Sequence, residues 1–345
     1  MQGTLPPELF LLTSLQTLEL INAAPEENGA NRNWTGLTGS IPSEIDKCTN
    51  LTNLQFGGHD LIVNLTLIAQ LSPLQKTVAA GCIIDGTIPS EITKLSNLTF
   101  LNLDQSQVRG TIPSELGIMS ALQVVKFDRN LLSGTIPSDL GRLTELRAMM
   151  LSRNKPNGTM PSELGHLSEL FWFCLNWNKM KRTVPPEFRS VGATSGHLLM
   201  ALDSNLMTGT LPTELGKIDR LLLNPESNLM SGTLPSEFGQ NKGFLGMGIN
   251  SNLITGTVPT EFGAPSSCLA HELQFNQISG TIPSQLGKLS EMMALDLSDN
   301  QLMGAIPSDL GRASNLVTLG FDGNFLTGSI PSELGAMASL QWVSM

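Results

Sequence analysis

Apolar residues return along this chain in one fixed phrase. Leu289, Met292, Leu295, Leu297, Asn300 and Leu302 spell L-x-x-L-x-x-L-x-L-x-x-N-x-L, with Met in the second Leu place. The L-x-L centre alternates with period two, which predicts a short strand with its leucines inward and the intervening residues on an open face. The Asn slot, filled by Asn130, Asn154, Asn178, Asn205, Asn228, Asn252, Asn276, Asn300 and Asn324, predicts a turn whose amide satisfies buried backbone groups. Between these phrases lies a second one, GTIPSELG at Gly110–Gly117, which returns with small changes from Gly134, Gly158, Gly209 and Gly328. Its Pro-Ser-Glu predicts the start of a helical turn, where a carboxylate meets exposed N–H groups. Twelve acidic residues, from Glu8 to Glu333, occupy the slot two after the proline, so much of the acidity is structural.

The prolines of this phrase fall at 6, 42, 89, 113, 137, 161, 185, 212, 235, 259, 283, 307 and 331, mostly 24 residues apart. The wider gaps are read as an insertion at about 23–35 and a worn repeat at about 48–71, with Leu65 in the proline place. A period of this size signals a solenoid. One such unit buries about seven apolar side chains at roughly 1.5 to 3 kcal/mol each. Ordering its backbone costs about 1 to 2 kcal/mol per residue. A lone unit therefore cannot fold, whereas stacked units share core and hydrogen bonds. The expected architecture is an α/β solenoid of about 13–14 repeats over residues 1–345, with a parallel sheet on its concave side.

Composition narrows the function classes. Thirty-three Gly, 20 Pro, no Tyr and 14% charged residues suit a turn-dense repeat better than a mixed enzyme core. No apolar run of about 18 residues exists, so no membrane segment is expected within the chain. The start shows no secretory leader. Cys48, Cys82, Cys174 and Cys268 lie far apart without a CxxC, so neither a disulfide framework nor a metal site is expected. Sequons begin at Asn33, Asn50, Asn64, Asn97 and Asn157, about as many as chance supplies. His59, His166, His197 and His271 fall in different repeats with no nucleophile pattern beside them, and no HExxH, P-loop or kinase motif occurs. The reading is therefore no enzyme, no cofactor and, with a net charge of −10, no nucleic-acid partner.

The whole chain resembles the plant-type leucine-rich-repeat proteins, whose L-x-G-x-I-P signature stands here as Val108, Gly110, Ile112 and Pro113. The resemblance to receptor-like protein and receptor-like kinase ectodomains implies a right-handed superhelix with a second short strand near G-x-I-P. It also implies an extracellular or cell-surface location and a protein, peptide or glycan ligand on the concave face. Ectodomains of this type carry cysteine-paired caps, whereas this chain starts in a convex segment and stops in a strand. The sequence is accordingly expected to be a piece of a longer protein.

Charge and aromatic placement suggest where a ligand would sit. From Arg109 to Arg182 ten basic residues face six acids, which leaves −14 for the rest of the chain. Lys126, Arg129, Arg147 and Arg153 fall in open-face slots, and FWFCLNWN at 171–178 puts Trp172, Cys174, Asn176 and Trp177 there too. Exposed Trp and Arg are typical binding anchors. The candidate ligand residues are Lys126, Asp128, Arg129, Met150, Arg153, Trp172, Cys174, Asn176, Trp177, Asp203 and Ser204. Toward the C-terminus these slots turn acidic or small, as at Glu226, Gly246, Gly248, Glu272, Asp296, Asp299 and Asp322. An alternative surface is the hydroxyl ladder of the second strand: Thr208, Thr210, Ser231, Thr233, Thr255, Thr257, Ser279 and Thr281. If it repeats at about the 4.8 Å strand spacing, such an array suits a structural or surface-binding role, ice binding included.

Overall fold

The computed structural model describes residues 3–21 and 36–345. The expected insertion at 23–35, with the Asn33 sequon, lies outside the described residues. Contacts divide the chain into two units, Met1–Glu163 and Leu164–Met345.

In the first unit, Thr17–Ile21, Asn53–Gly57, Lys76–Val78, Phe100–Asn102, Val124–Lys126 and Ala148–Met150 form parallel strands, one per repeat. Repeat-equivalent residues face each other, as in Val124 with Ala148 and Lys126 with Met150. The second unit contributes Trp172–Cys174, Leu198–Ala201, Leu221–Asn224, Gly246–Gly248, Ala270–Glu272, Ala294–Asp296, Thr318–Gly320 and Trp342–Ser344, also parallel and in register. Each unit is a leucine-rich-repeat solenoid whose strand leucines point inward, as the period-two alternation predicts: Leu101 and Leu103 in the first unit and Leu295 and Leu297 in the second are fully buried.

The asparagine slot closes each turn. In the first unit, Asn130 Oδ1 accepts the Ser106 and Val108 N–H groups at 3.0 Å while Nδ2 donates to the Leu103 and Phe127 carbonyls. Asn228 does the same in the second unit for Met207 N–H and the Leu202 and Pro225 carbonyls. One side chain thus satisfies backbone groups of its own turn and of the turn before, a role no apolar residue fills.

The GTIPSELG phrase has a physical reason at each end. Proline fixes an extended backbone, φ −66° and ψ 134° at Pro113, and Ser114–Ile118 then make one 3₁₀ turn with Glu115 in it. Gly134 lies at φ +77°, and a Cβ there would sit 2.8 Å from the Thr111 methyl of the preceding repeat. At Gly141 a Cβ would collide with the Glu163 carbonyl of the following repeat. Both glycines are absences that neighbouring turns fill. In the worn repeat, the proline turn is replaced by a short α-helix, Leu65–Ile68, capped by the Asn64 side chain, which accepts from Thr66 and Leu67 N–H.

The second strands depart from expectation. Thr208 pairs with Leu229 and Ser231 with Leu253, so successive second strands are staggered by two residues relative to the repeat. Equivalent hydroxyls are diagonal neighbours, about 7–8 Å apart rather than one strand spacing. The stagger arises where the positive-φ glycine seats the threonine methyl of the turn before.

Candidate functional site

On the open face of the first unit, Lys126 is half-buried and its Nζ lies 3.8 Å from Asp104 Oδ2. Burial and, secondarily, the Asp128 charge push the Asp104 carboxyl up to about 6, which Lys126 partly offsets. Asp128 is also raised by burial, and its carboxylate accepts the Ser152 N–H at 2.6 Å. Much of its capacity thus caps the next turn. Arg129 and Arg153 are exposed and Met150 is half-buried.

Within the second unit the face begins with aromatics. Trp172 is 44% exposed and Trp177 53%. The Phe171 ring lies 5.0 Å from that of Trp172 and 5.5 Å from that of His197. Cys174 and Asn176 are half-buried. Asp203, expected on the surface, is buried beneath its neighbours, with Ser204 Oγ donating to it at 3.4 Å. Burial first, and then Glu226, raise its pKa.

A backbone feature distinguishes one slot. The residue before each asparagine is left-handed: Arg129, Arg153, Trp177, Ser204, Ser227, Ser251, Phe275 and Asp299 have φ between 51° and 58°, and Gly323 fills the slot at +67°. Left-handed backbone costs a residue with a Cβ about 1–2 kcal/mol, so the arginines and aromatics there are not chosen for the turn. Phe275, 57% exposed, was missed in the sequence reading. Its signal is the aromatic directly before Asn276.

Two further groupings emerge from the fold. Glu272 pairs across the strands with Asp296, and burial, Glu226 and Asp296 raise its pKa in that order. None of the ion pairs among the described residues involves these carboxylates. One histidine contact is not part of any nucleophile pattern in the sequence: Cys268 Sγ lies 3.4 Å from His271 Nε2. Both are buried, with the thiol pushed up to about 12 and the imidazole down to about 4 by burial, which opposes a reactive thiolate–imidazolium pair.

The hydroxyl ladder lies on the other flank. Thr208, Thr210, Thr233, Thr255, Thr257 and Thr281 are exposed, and Ser231 and Ser279 half-buried. Thr255 and Ser279 donate to the Gly232 and Gly256 carbonyls at 3.1 Å, so part of the file is committed to the neighbouring strand. Among the described residues no cluster of metal-ligating side chains occurs, and no helix is long and apolar enough to cross a membrane.

These features define a leucine-rich-repeat solenoid with a decorated open face. The Leucine Rich Repeat family model matches residues 292–313 and 315–337. No curated protein matches the sequence. Among solved structures, the chain is similar to a TDR receptor, at TM-score 0.90 and 26% identity over 100% of this chain and 57% of that one. It is similar to the Arabidopsis receptor kinase HAESA, solved with the peptide hormone IDA and the co-receptor SERK1, at TM-score 0.63 and 25% identity over 98% and 63%. A plant ice-binding protein matches at TM-score 0.58 and 22% identity over 68% and 77%, a likeness of fold alone. The chain spans 57% and 63% of the two receptor chains.

Proposed function

We propose that this chain is a non-enzymatic recognition module that binds a peptide, or a protein or glycan, on its open sheet face, as part of an extracellular or surface-exposed protein. The observation that carries the reading is the pair Trp172 and Trp177, exposed on that face, with Trp177 in a left-handed slot that costs backbone energy. Large exposed aromatics of this kind anchor interfaces. The likeness to HAESA, a receptor solved with a peptide hormone, supports a peptide as the first choice.

The test is to select peptides from a displayed random library on the full chain and to compare their affinity for W172A/W177A. Binding is expected to fall at least about tenfold. Folding should be little affected, because Phe173 and Leu175 carry the core beneath. Wild-type affinity in the double variant would refute the site.

A second reading, surface binding by the hydroxyl flank, has one favourable observation. The Thr210, Thr233 and Thr257 methyls pack where the next repeat's glycine lacks a Cβ, which fixes their rotamers. Replacing Thr210, Thr233, Thr257 and Thr281 by Val would abolish an activity of that kind, including any inhibition of ice growth, and leave peptide binding intact.

A further inference from the structure

The open face of the second unit changes character after its tryptophans. From Leu199 to Gly323 its outward slots contain six carboxylates, at Asp203, Glu226, Glu272, Asp296, Asp299 and Asp322, and no basic residue. A protein surface ordinarily intersperses the two signs, and like charges this close repel.

The relief of that surface is set by two glycines. At Gly248 an added Cβ would collide with Asn224 Oδ1 and lie 3.7 Å from Glu272 Oε2. The two side chains therefore lean from both neighbouring strands over bare backbone. Gly248 puts no side chain in the strand between them, and the Glu226 charge helps raise the Glu272 carboxyl although it stands two repeats away. At Gly320 an added Cβ would collide with Asp296 Oδ1 and lie 2.6 Å from Ser298 Oγ.

Underused polar atoms lie in the same slots. Ser298 is only 5% exposed, and its hydroxyl, turned toward the space shared with Asp296 and Asp322, makes no close hydrogen bond and supports the Asp322 carboxylate only at long range. Asn250 Oδ1 and Gln274 Oε1, in the same slot of the two preceding repeats, are also buried without a partner. Buried polar atoms are nearly always paired, so the two orphan amide oxygens beside uncompensated carboxylates mark a surface short of hydrogen-bond donors.

Resting on the reading that the open face binds a peptide, we propose that the patch centred on Glu226, Glu272 and Asp296 receives basic side chains of that peptide, with Phe275 at its rim. A guanidinium supplies five N–H donors in a plane and a permanent charge, which suits carboxylates flanked by amide and hydroxyl oxygens. The exposed Phe275 ring adds a face on which it can stack.

The probe is a fluorescent octapeptide of alternating Arg and Gly, with the Glu–Gly peptide as its counterpart, titrated against the full chain. The Arg–Gly peptide should bind and the Glu–Gly peptide should not. E226Q/E272Q keeps shape while removing two charges, and should weaken binding at least about tenfold. E237Q/E261Q removes the same charge from the turns at the edge of the repeats and should leave affinity unchanged. Equal weakening in both double variants would mean attraction to net charge alone and overturn the proposal. Absence of Arg–Gly binding to wild type would do the same. If library-selected peptides lose affinity in W172A/W177A but not in E226Q/E272Q, the open-face reading stands and the basic-ligand patch falls. If neither variant affects them, both readings fall.

Discussion

His271 occupies an inward strand slot that Met247 and Leu295 fill in the adjacent repeats. It is 1% exposed, its ring stacks on Phe262 at 5.0 Å and 25°, and its Nδ1 has no hydrogen-bond partner. No carboxylate stands near enough to perturb it, and the one titratable neighbour, Cys268, stays neutral. Burial accordingly holds the imidazole at about 4, below its ordinary 6.5, and the Phe262 backbone offsets only part of the effect. The unfolded chain takes up the proton first, so the stability contributed by neutral His271 is whole above 6.5 and is lost as the pH falls toward 4. A gap of that size corresponds to about 3 kcal/mol for the second unit. The perturbation is H271L, which restores the residue type the repeat uses in that slot. Urea unfolding followed by tryptophan fluorescence at about pH 7.5 and about pH 4.5 should show wild type losing about 2.5 kcal/mol more than the variant. Subtracting the two proteins cancels the titration of all other groups. Equal losses in both would refute the claim that the buried imidazole of His271 sets acid sensitivity.

The asparagine and glycine ladders yield two further tests. N228A leaves the Met207 N–H without a partner, while the Leu202 and Pro225 carbonyls lose one donor each and keep Asn205 and Asn252; at about 1–3 kcal/mol for a buried orphan the unfolding midpoint should drop, whereas a control at exposed Ser227 should not move it. G239A places a methyl against the Glu261 carbonyl and Phe262 nitrogen and should cost about 1–3 kcal/mol, while G335A in this chain meets nothing within 4 Å and should be silent in the same melt.

The fold was legible because the strand leucines, the asparagine and the proline each recur at one spacing, and a repeat that fails alone has only stacking available to it. Leu295, Asn300 and Pro307 would have sufficed to phase a turn. The site was legible only in part. Trp172 and Trp177 stood out by residue type, but Asp203 was read as exposed because slot parity ignores how neighbouring side chains lean over it. The relation between Glu226 and Glu272 depends on what is missing at Gly248, which no local pattern encodes. The stagger of the second strands is a property of pairing, invisible along one strand. His271 could have been found by aligning it with Met247 and Leu295, since a polar residue in a leucine place is itself the signal.

The contact between Thr111 and the void at Gly134 recurs from Thr135 to Gly158 and from Thr257 to Gly280. Each turn with this pair therefore presents a plug on one side and a matching socket on the other, and within that series the plugs and sockets are alike. A whole turn of 24 residues can be duplicated, deleted or exchanged by recombination without creating a new interface, whereas a cut of any other length sets a plug against a wall. Gene-level variation in the length of this chain should then come in complete turns, and the face that meets ligands can be lengthened or re-ordered while the core remains the same.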